Sequence, residues 1–511
     1  MPAFTFLPPA PATTVIEELM GVGFVFGSSQ AVTTTLLDTF DGRLYRAGLR
    51  FTVNESDRVE LELTGAMTAP AHLTVAGVPR LPGDLPPGPL RSRIAALTDV
   101  RALLPKVRVH TSRTSGVWRD ASGKVVAIAV LHDGVHLVDR PEVDCPEATI
   151  EIREVPGYTK PARRAIEALR RVGVAECETD TVTQCAAAAG VDLAGFAAAA
   201  TVPLDPEMSA IDGFRLVLAN IATAITANWQ GTIDQTDPEF LHDLRIAVRR
   251  TRTILAAAKS VLPAAVLEPA RDGFAWLADL TGTPRDLDVY LLEWSRYTDP
   301  LGSDVAPSLE PVRDLIERRR ADGHLELEAA LRSEHAAELM TEWRTWLAQP
   351  LSSDDVSPKA GRPLGRLIAK RIARAHAVLI ERGQLIGPDT PAEKVHELRK
   401  DAKKLRYLLE CFGSLLRKSA RKQYVTRLKA LQDNLGEHQD AEVHVNMLRG
   451  IARELHDAGA SPDTMVAIGQ LTERLDQQRL AARAEFAERF ADYDTPATRR
   501  ALDAVLDGIT P

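Results

Sequence analysis

Cysteine is scarce in this sequence. Only four of the 511 residues are cysteine (Cys145, Cys177, Cys185 and Cys411), and no two of them have the spacing of metal ligands. This scarcity argues against a disulfide-rich secreted domain and is typical of a reducing cytoplasm, where we expect the protein to lie. The first residues lack a basic region followed by an apolar run, and Asp192 interrupts the alanine-rich segment 185–202. We therefore expect neither a signal peptide nor a membrane span.

Lysine is absent before Lys106, and positive charge is concentrated elsewhere in the chain. The whole sequence carries a formal charge of −8. Residues 394–429 carry +9 and residues 242–259 carry +4, which leaves −21 for the remainder. Two segments are therefore strongly basic within an acidic protein, and this favours an anionic partner for those two segments.

The two basic segments belong to an internal repeat with an offset of 154 residues and no gap. Matched pairs run along the whole repeat: His242/His396, Arg252/Arg406, Leu277/Leu431, Asp279/Asp433, Gly282/Gly436 and Asp286/Asp440. Each copy opens with an S/T-x-x-E capping box, Thr236 to Glu239 and Thr390 to Glu393, which predicts the start of a helix. An ungapped repeat of this kind predicts one binding surface built from two similar halves.

On a helix, the basic residues of each copy fall on one arc and the apolar residues on the opposite side. The arcs contain His242, Arg245, Arg249 and Arg252 in the first copy, and His396, Arg399, Lys403 and Arg406 in the second. Like charges three and four residues apart destabilise a helix unless an anion compensates them. We therefore interpret the arcs as an anion site, although most exposed basic faces bind nothing.

Phosphate is the anion that suits these residues best. Guanidinium groups bind phosphate oxygens through two parallel hydrogen bonds, whereas bases require aromatic platforms or amide side chains, which the arcs hardly offer. A linear polyanion without bases therefore fits better than nucleic acid. The acid pairs Asp286/Asp288 and Asp440/Glu442 either hold a divalent ion or have a structural role, in which they orient the arginines by salt bridges or cap the helix after the glycine. We favour the structural role. His438 and His444 have no counterpart in the first copy and are predicted to lie on the surface.

The motifs His242-Asp-Leu-Arg245 and His396-Glu-Leu-Arg399, with the glycine and acidic residues that follow each, resemble the CHAD domain, the conserved histidine α-helical domain. The resemblance spans about residues 208–490. It implies two pseudo-symmetric four-helix bundles with basic helices lining a central cleft, and it implies binding of inorganic polyphosphate at polyphosphate granules. The residues carried over are His242, Arg245, Arg249, Arg250, Arg252, His396, Arg399, Lys400, Lys403, Lys404 and Arg406. Charge alone extends this path to Lys259, Arg417, Lys418, Arg421 and Lys422.

Residues 1–185 have a different, period-two pattern. Six alternating segments predict strands of an antiparallel sheet or barrel: 33–38, 49–53, 59–63, 107–111, 125–130 and 149–153. The dipeptides Asp41-Gly42, Ser122-Gly123 and Asp133-Gly134 predict turns between them, and a helix follows at 160–172. The fold class is therefore α+β, with an N-terminal antiparallel β-barrel or tunnel-like domain before an all-α domain.

This N-terminal pattern resembles the CYTH, or triphosphate tunnel metalloenzyme, family on residues 37–50, 108–124 and 148–154. The resemblance implies a tunnel in which Arg50, Arg108 and Arg113 contact phosphate. However, the family's first-strand Glu-x-Glu-x-Lys is missing, which leaves metal ligation short of carboxylates and favours phosphate binding without hydrolysis. Glu60 and Glu62 form a Glu-x-Glu one strand later and are predicted to face solvent.

The predicted organisation is a CYTH-like domain at 1–185, a linker at 186–207, a CHAD domain at 208–490 and a C-terminal tail at 491–511. The CHAD domain consists of repeats at about 208–349 and 362–490, separated by the stretch 350–363. Polyphosphate binding requires no cofactor; Mg²⁺ or Mn²⁺ enters only in the alternative, in which the first domain is a metal-dependent triphosphatase. A second alternative is nucleic-acid binding by the same cleft. The metal site and the oligomeric state stay open.

Overall fold

A computed structural model describes residues 3–7, 12–65, 71–177, 179–196, 202–350 and 357–509. The chain forms two compact units, residues 1–197 and residues 198–511. The first unit contains an antiparallel sheet with several helices, and all the elements described in the second unit are helices. The predicted α+β class, with a β domain before an all-α domain, is therefore confirmed.

The described strands of the first unit form one ten-stranded sheet. They are β1 (Ala3–Leu7), β2 (Phe24–Phe26), β3 (Gln30–Asp38), β4 (Leu49–Glu55), β5 (Val59–Gly65), β6 (Ala71–Val75), β7 (Leu104–Arg119), β8 (Val125–Leu137), β9 (Ala148–Glu154) and β10 (Ala175–Cys177). The order is β10-β1-β9-β8-β7-β3-β4-β5-β6, and β2 pairs with β7. The helices are α1 (Ala12–Val22), α2 (Arg43–Arg46), α3 (Pro89–Thr98), α4 (Thr159–Arg171) and α5 (Thr181–Ala188).

All six predicted strand segments lie in strands, and the predicted helix at 160–172 corresponds to α4. Ser122-Gly123 does form the turn between β7 and β8, where Gly123 adopts a φ of 82°. Asp133-Gly134, in contrast, is not a turn between strands. It lies inside β8, at a point where the pairing with β7 shifts register. Gly134 has a φ of 59° and allows the β-bulge at this point.

The sheet curls around an interior. Ile150 and Ile152 on one face of β9 pack with α1 and α4, whereas Arg153 points to the other face. The Arg153 guanidinium lies 3.1 Å from the carboxylate of Glu62 on β5, although four strands separate β9 from β5 in the sheet. Only a strongly curved sheet brings these two side chains together, and this curvature is consistent with the predicted tunnel-like form.

The second unit contains the remaining helices. They are α6 (Ala210–Ile233), α7 (Pro238–Ala257), α8 (Ala264–Leu280), α9 (Gly282–Leu292), α10 (Trp294–Thr298), α11 (Glu310–Leu331), α12 (Glu334–Ala348), α13 (Leu364–Gln384), α14 (Ala392–Cys411), α15 (Lys418–Asp457), α16 (Pro462–Tyr493) and α17 (Pro496–Leu506). The 154-residue offset relates the starts of α6 and α13, of α7 and α14, and of α8 and α15. The repeat in the sequence is thus a repeat of helices.

The predicted capping boxes at the starts of α7 and α14 are wrong. Asp237 caps α7, with its carboxylate accepting hydrogen bonds from the backbone N–H groups of Glu239 and Phe240. Pro391 precedes α14 without a side-chain cap, and the hydroxyl of Thr390 instead accepts a hydrogen bond from the N–H of Gly387. Aspartate caps a helix as well as threonine does. The sequence alone therefore did not show which of the adjacent residues Thr236 and Asp237 caps α7.

The two copies share a hydrophobic core. Buried side chains from α9 to α11, including Tyr290 and Ile316, pack with Leu448 of α15 and Leu471 of α16 in one cluster. The segment 491–511, assigned to a tail by the sequence, contains α17, whose Val505 is fully buried. Part of the stretch 350–363 and of the linker 186–207 lies outside the described residues.

Among the described helices, α6 alone is long and apolar enough to cross a membrane by length and composition. In this structure 56% of its apolar window is buried inside the protein. Phe214, Leu218 and Ile225 are fully buried, so α6 has the character of a core helix.

Candidate anion-binding site

Helices α7 and α14 place the two basic arcs. Each helix buries an apolar seam, with Leu244, Val248 and Leu255 in α7 and Leu398 and Leu405 in α14 all fully buried. Burial of these seams fixes the rotation of both helices, because turning either helix would expose leucine and bury charge. The basic residues are thereby held on the opposite faces.

Three cavities follow one another along α7 and are called here the central groove. The first is lined by Arg245, Arg249, Arg252, Asp279 and Asp286, among others. The second, of about 510 Å³, shares Arg249 and Arg252 with it and adds Arg271, Asp272, Lys400, Lys403, Lys404 and Tyr407. The third shares Lys404 with the second and adds Arg371, Arg374 and Asp401. The groove therefore carries cations from both copies of the repeat.

Arg249 and Lys403, which are equivalent in the repeat, meet at the middle of the groove. Burial, together with the positive charges of Arg399 and Arg249, lowers the pKa of Lys403 to about 7. Burial and Arg249 likewise lower the pKa of Arg245. The like charges thus destabilise one another across the groove in the absence of an anion.

Several groove cations have no carboxylate partner. Within the described residues, no ion pair is formed by Arg249, Arg252, Arg271, Arg374, Lys403 or Lys404. Two other arginines are held by acids at equivalent positions of the repeat. Arg245 lies 3.6 Å from Asp286, and Arg399 lies 3.0 Å from Asp440. The orienting role favoured for Asp286 and Asp440 agrees with these ion pairs.

Five of the predicted binding residues line none of the three groove cavities: His242, Arg250, His396, Arg399 and Arg406. Arg250 donates a hydrogen bond of 2.8 Å to Glu410, and Arg406 lies 3.6 Å from the same carboxylate. His396 contacts the Gln439 side chain at 2.7 Å through Nδ1, and neither His396 nor His242 lines any of the three cavities. The groove thus contains Arg245, Arg249, Arg252, Lys400, Lys403 and Lys404 from the predicted set.

The structure adds three arginines that the repeat did not indicate. Arg271 lies on α8, and Arg371 and Arg374 lie on α13, outside both signature segments. Burial and the neighbouring Arg374 lower the pKa of Arg371, whose guanidinium also donates a hydrogen bond of 3.1 Å to Ser260. The one sequence signal for α13 was the basic spacing of Arg366, Lys370 and Arg374 on one helix face.

Asp288, His438 and His444 are buried, whereas Glu442 is half-buried. Asp288 is fully buried and contacts Arg320 at 2.5 Å and His324 at 3.1 Å. The prediction that His438 and His444 lie on the surface is wrong, because α15 continues through Gly436 and turns both side chains inward. Burial, with Arg483 and Arg479 nearby, lowers the pKa of His438 to about 4, which keeps its ring neutral.

Of the arginines predicted to line a tunnel in the first unit, the strand register places Arg50 and Arg113 on one face of the sheet and Arg108 on the other. Arg50 stacks on the Tyr45 ring and lies 3.9 Å from Asp180, whereas Arg108 is on the other face of the sheet, 3.5 Å from Asp139. Arg113 lies near Glu151, whose pKa is lowered mainly by Arg153 and to a smaller extent by Arg113. In the part of the chain that the structure describes, no group of three or more His, Cys, Asp or Glu residues is placed to hold a metal ion.

Glu62 corrects a further prediction. Glu60 is exposed as expected, but Glu62 is only 7% exposed and lies in the sheet interior. Its carboxylate accepts a hydrogen bond from Arg153, whose guanidinium also pairs with Glu151 at 3.0 Å. Arg153 is therefore paired with two of the protein's own carboxylates in the interior.

Replacing Glu62 by glutamine is expected to destabilise the first unit by about 2 kcal/mol, because a buried charge-assisted hydrogen bond is weakened. Glu60→Gln, two residues away on the same strand, is the matched control and is expected to change stability by less than about 0.5 kcal/mol. Differential scanning calorimetry of both variants measures the difference. Equal melting temperatures would show that the Glu62–Arg153 pair does not stabilise the curled sheet.

Residues 217–449 match the CHAD domain family. The matched segment contains the helices α7 to α14 in full, and with them all the lining residues of the central groove. This match covers both basic helices, α7 and α14. The resemblance of residues 1–185 to the CYTH family remains a prediction.

Three solved structures are similar to parts of this chain. The CHAD domain from the plant Ricinus communis is 27% identical, with 60% of this chain and 96% of that chain covered and a TM-score of 0.45. PptA from Streptomyces chartreusis is 20% identical, with coverages of 55% and 99% and a TM-score of 0.43. PH1819 from Pyrococcus horikoshii OT3 is 12% identical, with coverages of 37% and 98% and a TM-score of 0.25. A search of the curated proteins finds no match to the chain.

Proposed function

We propose that this protein binds inorganic polyphosphate along the central groove. One observation carries the proposal: a continuous groove is lined by cations of both copies, six of which have no ion-pair partner among the described residues. Uncompensated like charges are costly, and an extended anion would relieve their repulsion along the whole groove. An unbranched polymer with one charge per unit fits a linear arrangement of this kind.

The lining of the groove favours phosphate over nucleic acid. Arginine supplies paired donors that match phosphate oxygens, and lysine adds mobile charge. Bases would need exposed aromatic faces, yet the aromatic residue that lines the described groove, Tyr407, is only 5% exposed. The groove therefore offers binding to a phosphate backbone and little that recognises a base.

Salt dependence tests the proposal. Polyphosphate of defined length is titrated into the full chain at increasing salt concentration, and affinity is measured by fluorescence anisotropy. The logarithm of affinity is expected to fall linearly with the logarithm of salt concentration, with a slope of about −4, since about six cations each displace roughly 0.7 counterion. A slope near zero, or failure of polyphosphate to displace a bound DNA oligonucleotide at equal phosphate concentration, would contradict the proposal.

We further propose that the protein associates with polyphosphate granules in the cytoplasm through this groove. Support for this step is the resemblance to the CHAD family together with the groove itself. A fluorescently tagged chain is expected to colocalise with granules in a host that makes them. A variant in which the groove charge is reversed is expected to be dispersed, and granule association by that variant would contradict the proposal.

A further inference from the structure

Another cavity, of about 570 Å³, lies next to α6 in the helical unit, outside the central groove, and is called here the second cavity. One wall is apolar and consists mainly of Val217, Ile221 and Ala224 from α6 and Ala247 from α7. The opposite wall, on α15, carries four cations: Lys418, Arg421, Lys422 and Lys429. The charge-based extension of the polyphosphate path to Lys418, Arg421 and Lys422 thus leads into this cavity and not into the central groove.

The repeat relates this cavity to the α13 end of the central groove. Val217, Asn220, Ala247 and Arg250 occupy the positions of Arg371, Arg374, Asp401 and Lys404 in the other copy. Two arginines of the groove are therefore replaced by a valine and an asparagine. Arg250 is also neutralised by Glu410, at a position where the other copy has Ala256. The wall formed by α6 and α7 has lost its positive charge.

The positive charge that lines the second cavity lies on α15 instead. The positions equivalent to Lys418, Arg421, Lys422 and Lys429 in the first copy hold Ala264, Leu267, Glu268 and Ala275, none of which is basic. Among the described residues, none of the four α15 cations forms an ion pair. Spaced over three turns of one helix, they present an uncompensated positive wall to an apolar wall.

We propose that the second cavity binds an organic phosphate, that is, a phosphate or short oligophosphate group joined to a largely apolar moiety. The α15 wall would bind the phosphate and the α6 wall would contact the apolar part. The cavity volume lies within the range of about 300–1,000 Å³ that is usual for small-molecule sites, which are mostly apolar with a few polar anchors. Inorganic polyphosphate has nothing to place against Val217 and Ile221. This inference goes beyond the proposed function and does not depend on it.

The experiment measures binding of three probes to the full chain by isothermal titration calorimetry. ATP and dihexanoyl phosphatidic acid represent the two sources of an organic phosphate, a free nucleotide and a lipid, and tripolyphosphate matches ATP in phosphate number. In the variant Arg249→Glu/Lys403→Glu, at least one organic probe is expected to bind about tenfold or more tightly than tripolyphosphate. Equal binding of all three probes, or binding of none, would overturn the inference.

A second variant separates the two sites. Lys422→Glu/Lys429→Glu alters exposed side chains on the α15 wall and is expected to fold normally. It should weaken the organic probe at least about tenfold and change polyphosphate affinity less than about threefold. Parallel loss of both ligands in this variant would show one continuous site and overturn the inference, while the proposed function would stand.

Discussion

Replacing Arg249 and Lys403 together by glutamate is expected to reduce polyphosphate affinity by at least about 100-fold, because each charge-assisted contact contributes roughly 1.5–3 kcal/mol. These two side chains line the middle of the central groove and have no carboxylate partner among the described residues. Reversal places two anions where the polymer must pass, so the loss includes repulsion as well as the missing contacts. Fluorescence anisotropy with polyphosphate of defined length measures the change.

The control is a second double variant that makes the same change in charge at two positions outside the groove. Lys359 and Arg366 are exposed residues of the helical unit and line none of the groove cavities. Lys359→Glu/Arg366→Glu therefore lowers the net charge equally and is expected to weaken binding less than about threefold, through long-range electrostatics alone. Equal losses in the two double variants would mean that polyphosphate senses only net charge, and the groove proposal would fail.

Replacing Lys403 alone by methionine is expected to stabilise the free protein while weakening polyphosphate binding about tenfold or more. Burial of this ammonium in the folded state, together with the positive charges of Arg399 and Arg249, lowers its pKa from 10.5 to about 7. Folding must therefore accommodate a repelled charge that methionine does not have. A rise in Tm of about 5 °C is expected at pH 6.5, corresponding to roughly 1–2 kcal/mol.

The increase in stability expected for Lys403→Met depends on pH. Because the pKa of Lys403 is depressed on folding, the unfolded state binds more protons between about pH 7 and 10.5, and stability of the wild type rises with pH in that window. The advantage of Lys403→Met is full below about pH 7 and declines above it. Lys394→Met, an exposed position on the same helix, should leave Tm unchanged at every pH. A destabilised Lys403→Met protein would contradict the repulsion argued here.

The polyphosphate prediction has its own pH dependence. A phosphate chain beside Lys403 favours the ammonium and raises the pKa of this group, so binding takes up a proton above about pH 7. Affinity of the wild type is therefore expected to fall as pH rises from 7 to 9, and affinity of Lys403→Met to be nearly constant. Titration in two buffers of different ionisation enthalpy measures the proton uptake directly.

The sequence was most informative about strands and helices whose apolar residues recur with a regular period. The alternating segments of the first unit and the helices α7 and α14 were predicted because side-chain burial there follows a period of two or of about 3.6. The repeat located both basic arcs, since equal motifs at a constant offset fold into equal helices. In contrast, the turn predicted at Asp133-Gly134 was wrong, because a bulge and a turn have the same residues in a sequence. The predicted capping boxes were also wrong, because neighbouring threonine and aspartate residues are both good caps.

The other differences arise from contacts between distant segments. Arg271, Arg371 and Arg374 reach the groove only because α8 and α13 pack beside α7 and α14. Glu62 is buried because Arg153, some ninety positions later, crosses the curled sheet to meet it. Neither relation has a local signature in the sequence, so no window of residues could reveal it.

The shared hydrophobic core of the two copies has a thermodynamic consequence. Tyr290 and Ile316 of one copy lie in the same cluster as Leu448 and Leu471 of the other, so neither copy can lose its packing without exposing apolar surface of its neighbour. The helical unit should accordingly melt as one cooperative block, and a chain cut between the copies would remain assembled. An anion held at the groove therefore protects the entire block against proteolysis, including helices it never touches.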